Sequence, residues 1–219
     1  MIGFYNYTVI LTYIGLVSTF VGFTNVINGR FSLAIFCLII SGLCDMFDGV
    51  IARSHKNRTD DEKKFGIQID SLCDLVCFGV FPAVFNYAYT LHHSPDLSII
   101  AIVISTFLAL TAVIRLGYFN VMEEKRQQST SEPRNHYQGV PVTMVAVFLP
   151  LVYIFKKRFD AIGFDFSIIL NAYCLIAGLL QILNIKVPKA HKRGITFLSI
   201  LGAVIIIITI LQYFEIIGF

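Results

Sequence analysis

Charge is scarce in this chain: Asp, Glu, Lys and Arg make up 14% of its 219 residues, where a soluble domain carries about a quarter. With 56% hydrophobic residues and a mean hydropathy of +0.74, that scarcity excludes a soluble domain of this size. No stretch is polar enough to form a second domain. Tryptophan is absent, so any aromatic belt at a membrane–water interface falls to the abundant Phe and Tyr. The five cysteines (Cys37, Cys44, Cys73, Cys77 and Cys174) lie in apolar segments and form no C-x-x-C pair. An odd number so placed argues against a disulfide framework and reads as small apolar packing residues. The N-terminus lacks a basic n-region and a small-residue cleavage site, so a removable signal peptide is not expected. Internal repeats are missing too, and a net charge of +3 gives no reason to expect a nucleic-acid partner.

What is present is apolar and helical in length. Residues 1–219 read as one integral membrane domain, an all-α polytopic transmembrane helix bundle with six or more spans. Seven candidate segments approach the roughly 20 residues that cross a hydrocarbon core. They lie near Tyr7–Ile27, Phe31–Ala52, Ile67–Leu91, Leu97–Phe119, Gly139–Phe155, Phe166–Leu183 and Ile195–Ile217. The fifth is short and carries Pro141 and Pro150, which predicts a kink or tilt. The polar run Glu123–Glu132 reads as a solvated loop, and His92 to Asp96 as a solvated turn.

Basic residues set the orientation. Placing the N-terminus inside puts 13 of the 17 Lys and Arg in three cytoplasmic stretches, Arg53–Lys64, Arg115–Arg134 and Lys186–Arg193. Arg30 and the cluster Lys156, Lys157 and Arg158 stay on the other side. The expected location is the cell membrane, multi-pass, with the active site facing the cytoplasm.

The chemistry concentrates between Asp45 and Asp74. Asp45 and Asp48 are three residues apart, and Asp70 and Asp74 four apart, so on helices each pair shares a face. Carboxylates beside long apolar runs are costly unless paired, and four together cannot all stay ionised without cations between them. Hard divalent ions such as Mg2+ or Mn2+ prefer such oxygens and share their coordination with substrate phosphates. The alternatives are helix-end carboxylates solvated by lipid headgroups, or a cation transporter, which predicts acids distributed along a path across the membrane.

The residues also fit a pattern. Asp45-Met46-Phe47-Asp48-Gly49-Val50-Ile51-Ala52-Arg53 followed by Gly66-Ile67-Gln68-Ile69-Asp70-Ser71-Leu72-Cys73-Asp74 resembles D-x-x-D-G-x-x-A-R…G-x-x-x-D-x-x-x-D, the signature of the CDP-alcohol phosphotransferase (phosphatidyltransferase) family. The resemblance assigns Asp45, Asp48, Asp70 and Asp74 to divalent metal ions, two in number, with Asp74 also the general base. It implies that Gly49, Ala52 and Gly66 line the site of the CDP moiety, small residues that equally suit tight helix packing. Arg53 binds phosphate or anchors its helix at the interface.

Three further stretches resemble the phosphatidylserine synthase branch. They are Asp70 to Ala83, Arg115-Leu116-Gly117-Tyr118-Phe119-Asn120, and Tyr137-Gln138-Gly139-Val140-Pro141. The chain departs from the branch at Cys77, where Ser is usual, at Phe81, where Ala is usual, and at Tyr118, where Arg is usual. The implied reaction is metal-dependent transfer of a phosphatidyl group from CDP-diacylglycerol to L-serine, releasing CMP, by a homodimer. Glycerol 3-phosphate, inositol phosphate, inositol or choline are the rival acceptors. Arg115 is the candidate partner of the serine carboxylate, against a snorkelling residue at a helix end. Asn6, Thr8 and Thr12 occupy a place where the family often has P-N-x-x-T, and are candidate nucleotide or lipid contacts.

Overall fold

The computed structural model describes Gly3, residues 7–54, 59–129 and 136–188, and single helical positions at 202, 204, 207–209 and 211. Helices α1 (Ile10–Ile27) and α2 (Phe31–Ser54) form an antiparallel hairpin turned at Gly29, whose φ is +70°. Small residues bring them together. A Cβ on Gly22 would lie 3.2 Å from that of Cys37, and one on Gly15 would lie 3.3 Å from that of Cys44. Where apolar burial gives no drive, close backbones and hydroxyl hydrogen bonds hold membrane helices together. Ser41 Oγ donates to the Gly15 carbonyl at 2.8 Å, and the Thr19 and Ser41 hydroxyls are 2.9 Å apart. The seam therefore steps from Gly22–Cys37 through Thr19–Ser41 and Gly15–Cys44 to Thr12 and Asp48.

Helix α3 (Asp60–Asp74) begins seven residues before the expected span. Its start is fixed by a capping box: Thr59 Oγ1 accepts from the Glu62 N–H at 3.2 Å, and Glu62 Oε2 accepts from the Thr59 N–H at 2.8 Å. The helix then widens into a π turn at Leu75–Val80 before continuing as α4 (Phe81–His93). Pro82 accounts for the widening. It has no N–H for the Phe78 carbonyl and crowds it, and the Phe81 N–H reaches back five residues to the Val76 carbonyl.

Helix α5 (Ser98–Ser129) runs antiparallel to this long helix. Ser71 Oγ donates to Asn120 Oδ1 at 3.0 Å, and Asn86 Nδ2 to Ser105 Oγ at 3.0 Å. Between them, a Cβ on Gly79 would lie 2.8 Å from that of Ala112. The run from Glu123 to Ser129 is helical and not the expected loop; positions 130–132 lie outside the described residues. Extending an established helix is far easier than starting one, this run is rich in good helix formers, and Arg126 pairs with Glu123 at 2.6 Å.

Past α5, strand β1 (His136–Gln138) pairs antiparallel with β2 (Lys186–Pro188), a three-residue ladder the sequence did not suggest. The fifth candidate segment is α-helical over α6 (Val145–Ile154), with Pro150 inside it, after a 3-10 turn at Val142–Met144, and is followed by α7 (Lys156–Ala161). The sixth is α8 (Phe166–Ile182), N-capped by Asp165. Among the described residues four helices are long and apolar enough to cross a membrane, namely Ile10–Ile27, Phe31–Ala52, Asp60–His93 and Pro95–Arg126, and α8 is a shorter apolar one. The protein is a multi-pass membrane protein. The seventh candidate, Ile195–Ile217, falls largely outside the described residues. All five cysteines are buried and free.

Candidate functional site

The α1–α2 seam and the start of the long third helix bring the acids to one place. Asp45 and Asp48 sit a turn apart near the end of α2, and Asp70 and Asp74 a turn apart near the end of α3. Carboxylate oxygens of Asp45, Asp70 and Asp74 all lie within 4.8 Å of one another. The Asp45 carboxyl lies beside that of Asp74, and that of Asp48 beside that of Asp70. Asp48 is 8% exposed, and its Oδ2 accepts from Thr12 Oγ1 at 2.9 Å. Thr12 thus touches an acid of the cluster.

Such an arrangement is unstable by itself. Carboxylates this close repel strongly in a setting where water screens them little. Among the described residues, no lysine or arginine forms an ion pair with Asp45, Asp70 or Asp74. Hard anionic oxygens converging from two helices are the donor set that suits a hard divalent cation. The cluster can hold a metal, and the residues present fit one.

The other candidates divide. Gly49, Ala52 and Gly66 are partly buried, on the stretches of α2 and α3 that lead from the acids to the 55–58 connection. The backbone of Arg53 is helical, and its side chain lies outside the described residues, as do Asn6 and the side chain of Thr8. Arg115 is not at a helix end: α5 runs on to Ser129, and the residue is 6% exposed. That rules out the snorkelling reading. Its Nη2 donates to the Gly139 carbonyl at 3.1 Å. Gly139 holds φ +72°, and a Cβ there would lie 2.7 Å from the Gln181 carbonyl oxygen, so this turn needs glycine.

The pairing of Ser71 with Asn120 and of Gly79 with Ala112 places Arg115 at the level of Val76, about half a helical turn from Asp74. His92 and His93 are exposed at the end of α4, as a solvated turn requires. Ser94 beyond them is tied down, donating to Asp165 Oδ2 at 2.6 Å. The departures from the branch pattern have local partners. The Phe81 ring fills the notch left by Gly22, and Tyr118 donates to Gln138 Oε1 at 2.7 Å. Sequence reasoning missed the Thr12–Asp48 bond and the place of Gln181, which is 3% exposed beside Arg115's cavity. A polar residue in an apolar helix was the available signal for both.

A model of the CDP-alcohol phosphatidyltransferase family matches residues 5–217. The chain is 28% identical over 163 residues to a CDP-diacylglycerol–serine O-phosphatidyltransferase of Helicobacter pylori, covering 74% of this chain and 63% of that protein. It is 30% identical over 169 residues to an archaetidylserine synthase of Methanothermobacter thermautotrophicus, covering 77% and 63%. It is 32% identical over 166 residues to the CDP-diacylglycerol–serine O-phosphatidyltransferase of Saccharomyces cerevisiae, covering 69% and 57%. The chain thus spans less than two thirds of the length of these relatives.

Proposed function

From the premise that the chain belongs to the CDP-alcohol phosphatidyltransferase family, we propose that it transfers a phosphatidyl group from CDP-diacylglycerol to L-serine, giving phosphatidylserine and CMP. The observation that carries the reading is the convergence of Asp45, Asp70 and Asp74 within 4.8 Å, with Asp48 in contact with Asp70. The serine acceptor draws on the relatives' names, which share serine while differing in the lipid.

In the reaction the serine oxygen forms a bond to the phosphorus that carries the diacylglycerol. The phosphorus–oxygen bond to CMP breaks, and the hydroxyl proton passes to the Asp74 carboxylate. Asp45, Asp48, Asp70 and Asp74 would hold two divalent ions, Mg2+ or Mn2+, which would neutralise charge on the donor's pyrophosphate. Thr12 keeps Asp48 turned toward Asp70. Gly49, Ala52 and Gly66 leave room for the CDP moiety along α2 and α3, Arg53 pairs with phosphate, and Arg115 with the serine carboxylate. The acids open toward the cytoplasm at headgroup depth in the cell membrane, and the working unit is a homodimer. Confinement of the acids to one end of two neighbouring helices speaks against a transport path.

The test is an acceptor panel on the purified chain in lipid nanodiscs, with CDP-diacylglycerol fixed and products identified by mass spectrometry. CMP and phosphatidylserine should form with L-serine and stop on chelation of divalent ions. A product made only with glycerol 3-phosphate, inositol, inositol phosphate or choline overturns the acceptor. No CMP with any alcohol, alongside metal flux in liposomes, overturns the enzyme.

A further inference from the structure

Four basic residues stand apart from the charge pattern that orients the chain, Arg30 and the cluster Lys156, Lys157 and Arg158. The structure gives two of them a shared place. A cavity of about 360 Å3 opens between the α1–α2 turn, the end of α4 and the α6–α7 junction, lined by Arg30, Ser32, His93, Tyr153 and Lys156. Among the described residues Arg30 forms no ion pair. Lys156 gives one donor to Asp160 Oδ2 at 2.7 Å, and an ammonium has three. The Ser32 and Tyr153 hydroxyls are 3.3 Å apart, so one donates to the other and the second keeps its hydrogen for another acceptor. His93 forms a wall, its Nδ1 donating to the Tyr89 carbonyl at 2.9 Å and its ring stacked on that of Tyr89 at 4.1 Å. Among the described residues no carboxylate lines the cavity.

We infer that this cavity binds the phosphodiester of an anionic phospholipid, with Arg30 and Lys156 supplying the charge and the Ser32–Tyr153 pair a further donor. Phosphate oxygens accept several hydrogen bonds at once, and those from ionised donors are the strong ones. Helix α2 begins at the cavity wall, and its first-turn N–H groups add to the positive potential there. A headgroup that carries an ammonium would set it against two cations with no acid in the lining to receive it, so a lipid without one fits best. Depth separates this site from the acids: Phe31 lies fourteen positions before Asp45 on α2, about 21 Å of helix rise, in a hydrocarbon core about 30 Å thick. The cavity therefore lies toward the opposite membrane face. Ile27 and Phe155, which flank its lining residues in the chain, are 75% and 49% exposed. Bare apolar side chains at the edge of a basic cavity suit a ligand with acyl chains, where free phosphate would leave them uncovered. Basic residues that only anchored helices at the interface would not need to converge on one cavity.

Native mass spectrometry of the full chain in detergent, titrated with phosphatidylglycerol, phosphatidylcholine or inorganic phosphate, reads the affinity for each. The unaltered chain should hold one phosphatidylglycerol more tightly than phosphatidylcholine. Arg30→Gln and Lys156→Gln should each weaken that binding about tenfold or more, the size of a lost hydrogen bond to a charged group. Arg158 is exposed and does not line the cavity. Arg158→Gln removes an equal charge from the same end of the bundle and should change binding by less than about twofold, as for a surface charge. A second readout guards against misfolding: melting temperatures without anionic lipid should match for all four chains, and phosphatidylglycerol should raise that of the unaltered chain more than that of Arg30→Gln. Equal weakening by Arg158→Gln, or unchanged binding in Arg30→Gln, refutes the site. Equal affinity for phosphatidylcholine overturns the anionic headgroup, and inorganic phosphate that displaces phosphatidylglycerol at matching concentration overturns the lipid. Each of these results leaves the proposed transfer to serine untouched.

Discussion

The hydrogen bond from Thr12 to Asp48 gives a sharp test of how the α1–α2 seam serves the acids. Thr12→Val keeps the shape of the side chain and deletes its hydroxyl. Asp48 then loses a 2.9 Å donor in a position only 8% exposed. A hydrogen bond to a charged group contributes about 1.5–3 kcal/mol, and every 1.4 kcal/mol is tenfold in an equilibrium constant. Loss of a partner that orients a metal-binding carboxylate costs about 10- to 100-fold in metal affinity, which agrees. Mn2+ binding to the purified protein, followed by electron paramagnetic resonance without substrates, should weaken by that factor. Thr12→Ser should restore most of it. The control is Thr19→Val, two turns along the same seam, which loses bonds to Gly15 and Ser41 but touches no acid. It should lower the melting temperature and leave Mn2+ affinity alone. Wild-type Mn2+ binding by Thr12→Val, or equal weakening by Thr19→Val, would show that the seam does not act through Asp48.

Asp74→Asn should lower kcat by about 100- to 10,000-fold, the range for a lost general base; a loss below tenfold in a CMP-release assay removes Asp74 from that role. Gly79→Ala forces a Cβ to within 2.8 Å of Ala112 and 3.1 Å of Leu75 Cδ1, so overpacking of about 1–3 kcal/mol should lower the melting temperature. At Gly117 nothing lies within 4 Å of the added Cβ, and Gly117→Ala should stabilise α5 by about 0.4–1 kcal/mol; the reverse ranking in a thermal-shift assay counts against the packing. Burial pushes Asp165 up, but hydrogen bonds from Ser94 and Ser167 outweigh it and hold the carboxyl below its ordinary value. Its stabilising contribution is therefore present above the unfolded pKa and lost as pH falls through the folded one. Melting curves between neutral and strongly acidic pH should show Asp165→Asn falling less steeply than the unaltered chain, and parallel curves would refute the linkage.

The four aspartates and their grouping on two helix faces were legible in the sequence because spacing on a helix is a local property. So was the membrane, since a chain this apolar has no other place to bury its surface. Residue order also named the pieces of the charged loop, yet it put the start of α3 at Ile67. The capping box at Thr59 and Glu62 is an equally local signal, but the hydrophobic run that marks the span begins later. The helical extension to Ser129 was hidden for a similar reason: a polar run looks the same whether or not an established helix precedes it.

Other features depended on partners far apart in the chain. Thr12 and Asp48 meet because α1 and α2 share a seam of small residues, and no spacing within either helix announces that contact. The cavity of Arg115 and Gln181 exists only because α8 returns to α5 and the Gly139 turn closes beside it. Sequence by itself determined the apolar medium, the helical repeat and the pairing of acids on a helix face, all of which follow from composition and from spacings of three and four. Tertiary structure alone decided that the two pairs of acids meet, which hydroxyl steadies Asp48, that Arg115 is held by the Gly139 turn, and which buried amide is left wanting a partner, because each is a relation between elements that no single helix encodes.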